Sequence, residues 1–488
     1  MLNKPARIFD REAEWGHLAR FAARAAHRAQ VGVVTGRRRQ GKTYLLEAVA
    51  ANAGGLYFGA TQATAAESLA LFSQDLSGYL DHPVPLRFAD WDEAMTFLFS
   101  APQLGAAVVV LDEFPYLSNA MPALPSIIQR EVDRAASRGS GPSILLCGSA
   151  LSVMGRLLAG NAPLRGRANL EMVVRPFDHW LAADYWGITD PALAVRTHAV
   201  VGGTPAYRSF LTDDCPHDLA DFDDWVLRTV LNPGSPLFRE ARYLLAEETT
   251  ELREVGIYHS VLAAVAAGNN TRGGIASYVG RQASDLTHYL NVCEDTGLLV
   301  REEDAFRSGR SRYRVVEPLV TFYEVVSRPQ WGRLEAGRAR SVWADARPRF
   351  QSQVLGLQFE HLCRRWAELA EPPVFGESPG AVGAGVVADS ANRTQIQLDV
   401  VVLAPAVPGR PKRILSLGEA KWGRVMSATD LNRLRRAGGL LADRGFDTAS
   451  ARYTCYSGAG FDEHLRAAAA QDPRVQLIGL TDLYEPPD

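Results

Sequence analysis

A glycine-rich stretch near the N-terminus, GRRRQGKT at residues 36–43, most constrains what this chain can fold into. It directly follows an apolar run at residues 31–36 and opens a helical pattern at residues 43–51. Glycines at such a turn let backbone N–H groups wrap a phosphate, and the N-terminus of the helix adds positive potential. Lys42 would reach the outer phosphates, and Thr43 would offer its hydroxyl to Mg²⁺. The sequence therefore predicts a site for ATP and Mg²⁺ built from Gly36, Gly41, Lys42 and Thr43.

Three more apolar runs, at residues 54–60, 106–114 and 143–149, alternate with amphipathic stretches. This alternation is typical of a parallel sheet with helices on both faces. The run AAVVVLDEF supplies Asp112, which would hold Mg²⁺ through water, and Glu113, which would orient or deprotonate the attacking water. Ser149 ends the last run, where it would either sense the γ-phosphate or cap the next helix. Both roles of Ser149 stay open from the residues alone.

The pattern changes along the rest of the chain, and we predict an α/β multidomain protein. Three helical faces between residues 257 and 295 precede a hairpin pattern, which is the order of a winged helix-turn-helix. The predicted parts are a P-loop three-layer α/β core at 1–175, a helical lid subdomain at 176–243, a winged helix at 244–326, an Arg-rich connector at 327–350 and a C-terminal α/β domain at 351–488.

Charged residues in the predicted hairpin leave two interpretations open. The presumed wing carries four arginines, which would contact DNA phosphates, but the neighbouring REED sequence at 301–304 offsets most of that charge. The alternative is a solvated hairpin in a docking module. The candidate recognition helix has polar side chains and little positive charge. The arginines are Arg307, Arg310, Arg312 and Arg314, and the polar helix residues are Ser284, Thr287, His288 and Asn291.

Composition excludes several classes of protein. The 488 residues carry a formal net charge of -3, so any contact with nucleic acid has to use local patches. The five cysteines are scattered and predict reduced thiols in a cytoplasmic protein. The charged N-terminus does not read as a signal peptide, and no apolar run approaches the ~20 residues that a membrane span needs. We therefore expect no membrane partner.

A second group of charged residues lies near the C-terminus. Glu419 and Lys421 are two residues apart at the end of an apolar run, so on a strand they point to the same face. Asp399 lies in the preceding apolar run, and a Pro/Gly turn between the runs would bring it beside them. Two carboxylates and a lysine suit a hydrolytic Mg²⁺ site, to which Glu360 would add a fourth group. The alternative is a solvated salt bridge. The glycine-rich run before Asp399 predicts only a poor strand.

These residues resemble two known families. FDREAEW at 9–15, the phosphate loop, VVVLDEFPYL, LLCGSALSVM, APLRGRA and VGGTPAY occur in the order seen in archaeal-type ATPases of the AAA+/STAND group. The C-terminal block resembles the PD-(D/E)XK restriction-endonuclease-like fold, with Asp399, Glu419 and Lys421 on its motif and Glu360 on its common helical acidic position. Members of the first family often carry such a C-terminal domain, so the resemblance covers nearly the whole chain.

The resemblance implies further site residues. Arg11 and Glu12 would border the adenine, and Gly203 and Pro205 would close over it. Arg167 would be an arginine finger or a γ-phosphate sensor, or else form a structural ion pair; Arg165 is an equal neighbour. Pro205 alone is also a common helix start.

Together these features predict a Mg²⁺-dependent ATPase whose nucleotide state controls a nuclease-like domain acting on DNA. Glu113, Lys42, Arg167 and Lys421 are its candidate catalytic residues. The rival is an ATP-dependent switch or scaffold whose nuclease-like domain only binds DNA or a partner protein. A small-molecule kinase fits less well, because it gives no role to VGGTPAY or to the C-terminal block.

Overall fold

The computed structural model describes residues 2–25, 27–149, 151–160, 162–248 and 254–485. The chain divides into two compact units, Met1–Pro176 and Phe177–Asp488. The domain boundaries predicted at 175, 243, 326 and 350 stay predictions.

The first unit contains a five-stranded parallel sheet with the order β2-β3-β4-β1-β5. Its strands are β1 (Gln30–Thr35), β2 (Leu56–Gly59), β3 (Val108–Asp112), β4 (Ser143–Gly148) and β5 (Ala168–Val173). Its helices are α1 (Glu12–Arg24), α2 (Lys42–Ala53), α3 (Ala65–Tyr79), α4 (Trp91–Ser100), α5 (Phe114–Ala120), α6 (Leu124–Arg138) and α7 (Leu151–Arg156), with a 3-10 turn at Pro102–Leu104.

Both faces of this sheet are covered, because successive strand residues enter different cores. Val109 and Leu111 of β3 pack with residues of α3, α4 and α6, whereas Val108 and Val110 pack with residues of α1 and α2. Five parallel strands between two helical layers match the predicted three-layer α/β core.

The second unit begins with helices and continues into a two-stranded hairpin. Its first helices are α8 (His179–Trp186), α9 (Pro191–Val201), α10 (Ala206–Phe210), α11 (Phe222–Arg228), α12 (Pro236–Glu248), α13 (Val255–Ala266), α14 (Arg272–Val279) and α15 (Thr287–Asp295). The antiparallel strands β6 (Leu299–Glu303) and β7 (Ser311–Val315) follow. Three helices and a hairpin thus lie where the sequence predicts that order of elements.

The segment that we predicted to be a connector, 327–350, is helical and packed. It belongs to a run formed by α16 (Pro318–Phe322), a π turn (Tyr323–Ser327), a 3-10 turn (Arg328–Gln330), α17 (Trp331–Glu335), α18 (Ala339–Arg349) and a second π turn (Phe350–Leu355). Val342, Trp343 and Ala346 of α18 are buried in the main core of the unit. Most of the arginines of the segment are exposed, namely Arg333, Arg338, Arg340 and Arg347, and they gave the sequence its linker-like composition.

The C-terminal part of this unit is a mixed sheet with the order β12-β11-β10-β9-β8. The strands are β8 (Ala381–Asp389), β9 (Thr394–Leu403), β10 (Ile414–Lys421), β11 (Arg452–Ser457) and β12 (Val475–Ile478). β8, β9 and β10 are antiparallel neighbours, and β10, β11 and β12 are parallel. The helices are α19 (Gly356–Leu369), α20 (Pro372–Phe375), α21 (Ala428–Ala442), α22 (Glu463–Gln471) and α23 (Leu480–Tyr484).

The prediction of a poor strand before Asp399 was wrong, because β8 is nine residues long and pairs with β9. One of its glycines, Gly385, serves close packing. A Cβ added at Gly385 would lie 2.4 Å from the ring of Phe306, which follows β6 in the hairpin. The glycine therefore makes room for an aromatic ring, a reason that a strand-propensity argument does not contain.

None of the helices that the structure describes combines the length and the apolar character needed to cross a bilayer.

Candidate functional site

The phosphate loop has the backbone geometry that its glycines predict. Gly36 has a φ of 148° and Gly41 a φ of 88°, both in the region that glycine favours. A Cβ added at Gly36 would lie 2.4 Å from the carbonyl oxygen of Val174. Gly41 directly precedes α2, so the N-terminal N–H groups of that helix face the loop.

Lys42 is the buried cation of this loop. Its Nζ donates a hydrogen bond to the carbonyl oxygen of Arg37 at 2.8 Å, and the residue is 6% exposed. Burial lowers the pKa of Lys42, and the nearby carboxylates of Glu113 and Asp112 oppose that shift. The ammonium is therefore held inside the curve of the loop, where phosphate oxygens would neutralise it.

Asp112 meets the loop from the end of β3. Its Oδ2 accepts hydrogen bonds from Thr43 Oγ1 at 2.7 Å and from Tyr57 Oη at 2.9 Å, and its Oδ1 accepts one from the N–H of Glu113 at 2.8 Å. Tyr57 was not among the predicted site residues. Its position near the start of β2, the strand beside β3, brings its hydroxyl to Asp112. A hydroxyl and a carboxylate are oxygen ligands that suit Mg²⁺, so these residues fit the ion that the loop implies.

Glu113 and Ser149 meet at the same edge of the sheet. Glu113 adopts a left-handed conformation with a φ of 49°, which is strained for a residue with a Cβ. The hydroxyl of Ser149 lies 3.3 Å from both oxygens of its carboxylate. The strained turn and the Ser149 hydroxyl together orient the Glu113 carboxylate. Neither of the two roles predicted for Ser149 includes this contact.

Arg11 contacts the phosphate loop, whereas Glu12 forms an ion pair with Lys4. The Arg11 guanidinium donates to the carbonyl oxygen of Gln40 at 3.3 Å and to Glu14 Oε1 at 2.9 Å. The Glu12 carboxylate lies 2.8 Å from Lys4 Nζ. Arg11 thus borders the nucleotide loop, and its role toward adenine stays a prediction.

Arg167 forms the ion pair that was one of its two predicted roles. Its Nε lies 2.9 Å from Asp133 Oδ1 and its second terminal nitrogen 3.0 Å from Oδ2, a bidentate arrangement. The neighbouring Arg165 donates to the carbonyl oxygen of Gly160 at 2.6 Å. A phosphate-sensing role would require Arg167 to leave Asp133.

Gly203 and Pro205 have clear packing roles in the second unit. Gly203 accepts a hydrogen bond from the N–H of Phe177 at 2.9 Å, and a Cβ there would lie 2.0 Å from the Phe177 carbonyl oxygen. Pro205 immediately precedes α10, which matches the simple helix-start alternative. Their predicted closure over adenine stays a prediction.

The C-terminal group is brought together as the hairpin argument requires. β9 and β10 are antiparallel, with Gly418 opposite Val400. Lys421 Nζ lies 2.7 Å from Glu419 Oε1 and 3.5 Å from Asp399 Oδ2. The two carboxylate oxygens are therefore separated by at most the sum of these distances, about 6.2 Å. Asp399 is 3% and Glu419 1% exposed, so this is a buried group and differs from a solvated salt bridge.

Burial dominates the electrostatics of this group. It raises the pKa of Glu419, with the charge of Asp399 as the next cause. It also raises the pKa of Glu360 on α19 to about 8, again with Asp399 as the next cause. The pKa of Lys421 is raised because the charges of Asp399 and Glu419 together outweigh its burial.

Two arginines that the sequence argument missed complete the group. Arg433 of α21 donates to Glu419 Oε1 at 2.5 Å, and Arg364 of α19 donates to the backbone carbonyl of Asp399 at 2.9 Å. Both come from helices, at sequence distances of 14 and 35 residues from their partners. Arg364 lies in the EHLCRR sequence that begins at Glu360, and this charged stretch was the feature of the sequence that could have indicated it.

The fit of a divalent cation rests on Asp399 and Glu419. Glu419 Oε2 is buried and has no hydrogen-bond partner, and carboxylate oxygens suit Mg²⁺. Within the described ranges, no three or more His, Cys, Asp or Glu side chains are grouped so as to hold a metal ion. Glu360 thus lies near the pair without forming a three-carboxylate cluster.

Comparisons with known proteins agree with the fold. No family model matches the chain. An uncharacterized protein of Methanocaldococcus jannaschii is 24% identical over 340 residues, which covers 68% of this chain and 72% of that protein. The structure is similar to a Walker-type ATPase of Pyrococcus abyssi, with a TM-score of 0.50 and 21% identity over 65% of this chain and 96% of that one. It also matches the ORC2 protein of Aeropyrum pernix in its ADPNP–ADP complexes, with a TM-score of 0.45 and 14% identity over 70% of this chain and 100% of that one.

The parallel sheet, the loop geometry and the similarity to the Pyrococcus protein define the class: the chain has the fold of a Walker-type, P-loop ATPase. The C-terminal mixed sheet is part of its second unit.

Proposed function

We propose that the protein binds ATP with Mg²⁺ at residues 36–43 and hydrolyses it. The hydrogen bond of 2.7 Å between Thr43 and Asp112 carries this proposal, because it joins the two groups that such a site needs from β3 and α2. The Mg²⁺ ion, when bound with ATP, would neutralise charge on the phosphates. Lys42 would bind the outer phosphates, and Glu113, oriented by Ser149, would accept a proton from the attacking water.

Nucleotide binding and turnover, measured separately on three variants, test this proposal. We expect Lys42→Ala to lose ATP binding, because it removes the buried ammonium at the start of α2. We expect Glu113→Gln to keep binding and lose at least about 100-fold in kcat, the usual contribution of a general base. Lys412→Ala, at an exposed position, is the matched control. Wild-type turnover in Glu113→Gln would contradict the assignment of the base.

A second activity is supported by the C-terminal group. We propose that Asp399, Glu419 and Lys421 form a nuclease-type site for DNA, which the nucleotide state of the first unit controls. The supporting observation is the approach of two buried carboxylates to one lysine at the end of an antiparallel strand pair. Asp399 and Glu419 would hold Mg²⁺, which activates water and neutralises phosphate charge. Lys421 would stabilise negative charge that develops on the phosphoryl group.

Plasmid cleavage with ATP and Mg²⁺ or Mn²⁺ tests this activity. We expect Lys421→Ala to lose cleavage and keep ATP hydrolysis, while Lys412→Ala cuts like the wild type. Loss of cleavage in Lys42→Ala would show that ATP gates the nuclease. Steady ATP hydrolysis by a wild-type protein that cuts no DNA would refute the nuclease.

The rival function is an ATP-dependent switch or scaffold whose C-terminal domain binds DNA or a partner protein without cutting. Its supporting observation is that Lys421 and Arg433 both contact Glu419, so cations already compensate the carboxylate charge. The helices and hairpin between residues 255 and 315 would then act as a winged helix-turn-helix docking or DNA-binding module. Plasmid binding without cleavage is the result that favours this function.

A further inference from the structure

The hairpin β6–β7 is attached to the C-terminal sheet. The N–H of Ala305 donates to the carbonyl oxygen of Ala384 at 3.0 Å, and the N–H of Val386 donates to Asp304 Oδ2 at 3.2 Å. The missing side chain of Gly385 leaves room for the Phe306 ring. The turn of the hairpin, which begins after β6 ends at Glu303, therefore covers the side of β8 that faces away from β9 at the edge of this sheet.

The four hairpin arginines form two pairs that lie in different parts of the hairpin. Arg307 and Arg310 lie in the turn between the strands. Arg312 and Arg314 lie on β7, two residues apart and thus on one face, with Glu302 directly opposite Arg312. The sequence pattern places all four in one wing, because the register and the docking of a hairpin are not visible in a charge pattern.

The face with Arg312 and Arg314 borders a cleft that leads to the candidate nuclease site. The cleft has a volume of about 100 Å³, and its lining includes Glu302, Arg312, Arg314, Glu360, Arg364 and Gln397. Gln397 in turn donates to Asp399 Oδ1 at 3.3 Å, so the cleft and the carboxylate pair share a wall.

The close ion pairs between described residues of the cleft involve Arg314 and Arg364, whereas Arg312 acts on Glu302 from a longer distance. Glu302 pairs with Arg314 at 2.6 Å and approaches Arg364 at 3.9 Å. Arg364 also holds the backbone of Asp399. Arg312, in contrast, has neither a hydrogen bond nor an ion pair closer than 4 Å with any residue that the structure describes, although it is only half-exposed. Three arginines against two glutamates give the lining a surplus of positive charge.

We propose that this cleft binds the phosphodiester backbone of DNA, with Arg312 and Arg314 contacting a phosphate and Arg364 positioning the strand that carries Asp399. The proposal rests on the proposed action of the C-terminal domain on DNA and adds where the substrate backbone enters. It narrows the phosphate contact from the whole wing to the face of β7 that carries Arg312 and Arg314. A phosphate there would lie next to Glu360 and the carboxylate pair, where hydrolysis would take place.

The experiment measures the binding of a fluorescein-labelled DNA duplex to the full chain in EDTA, by anisotropy, at KCl concentrations from about 50 to 200 mM. We expect Arg312→Ala to weaken binding about fivefold at low salt and to reduce the slope of log K against log salt by about 1, as loss of one phosphate contact does. Arg312→Lys should keep the slope, because it keeps the charge. Arg307→Ala, in the turn of the same hairpin, should leave it unchanged.

The results separate this inference from the proposed nuclease. A slope reduced by Arg307→Ala and unchanged by Arg312→Ala would overturn the inference, and so would a wild-type protein that binds no DNA. If the wild type cuts plasmid and Arg312→Ala keeps the full slope, the inference fails while the nuclease stands. If binding depends on Arg312 and no plasmid is cut, the cleft stands and the nuclease fails.

Discussion

Replacement of Lys421 by methionine should lower the stability of the second unit by about 2–3 kcal/mol. Lys421 is the cation shared by Asp399 and Glu419, whose side chains are 4% and 2% exposed. Breaking a fully buried ion pair costs about 3–5 kcal/mol, because a charge is left uncompensated. The Lys421 side chain is 30% exposed, and Arg433 also contacts Glu419, so the loss should fall below that range.

The assay is thermal unfolding in EDTA, compared with Lys412→Met at an exposed position. With an unfolding entropy of about 2.1 cal/mol/K per residue, a unit of this size should lose about 3–5 °C in Tm. If the carboxylates hold a divalent cation, Mn²⁺ at about 100 times its Kd should restore about 2.7 kcal/mol to Lys421→Met. Equal Tm values for the two variants in EDTA would refute the electrostatic argument, and a Tm that Mn²⁺ leaves unchanged would refute the metal site.

Three other predictions concern single contacts. Ser149→Ala should keep ATP affinity and lower kcat about tenfold, because Glu113 loses its orienting hydroxyl; unchanged turnover would contradict this role. Burial lowers the pKa of His179 to about 4, below the unfolded value of about 6.5. The contribution of His179 to stability should therefore be full above pH 6.5 and fall by about 3 kcal/mol toward pH 4, and His179→Gln should remove that part of the slope of a urea-unfolding profile. Gly203→Ala should cost about 3 kcal/mol or more, because its Cβ would lie 2.0 Å from a backbone carbonyl oxygen. Gly256→Ala is the control, because a Cβ added at Gly256 would have no atom within 4 Å, and it should not lower the Tm. Equal Tm values for the two variants would exclude the clash at Gly203.

The nucleotide site could be predicted because most of its residues lie in short contiguous segments of the sequence. The loop at 36–43 and the strand end at Asp112 each carry a local pattern, and parallel strands bring their ends to one edge. Tyr57 could not be predicted in the same way. Its hydroxyl reaches Asp112 only because β2 is the neighbour of β3, and strand order is a property of the whole sheet.

The C-terminal sheet shows where local patterns stop being informative. The alternation around Asp399 and Glu419 predicted their strand pair, but the glycines of β8 looked unfavourable for a strand. The docked hairpin explains Gly385, which accommodates the Phe306 ring. A residue chosen for a contact 79 positions away leaves no periodic signal in its own segment.

The two carboxylate sites differ in what satisfies their buried oxygens, and this difference argues for different metal affinities. Asp112 accepts from two hydroxyl groups and a backbone N–H, all neutral, so its negative charge stays available to Mg²⁺. Glu419 is contacted by Lys421 and Arg433, both cations, so a divalent ion has to compete with charges already present. We therefore expect Mg²⁺ to bind tightly with ATP and weakly at the C-terminal pair. A DNA phosphate that draws Lys421 away from Glu419 would strengthen metal binding there, which would couple the cation to the substrate.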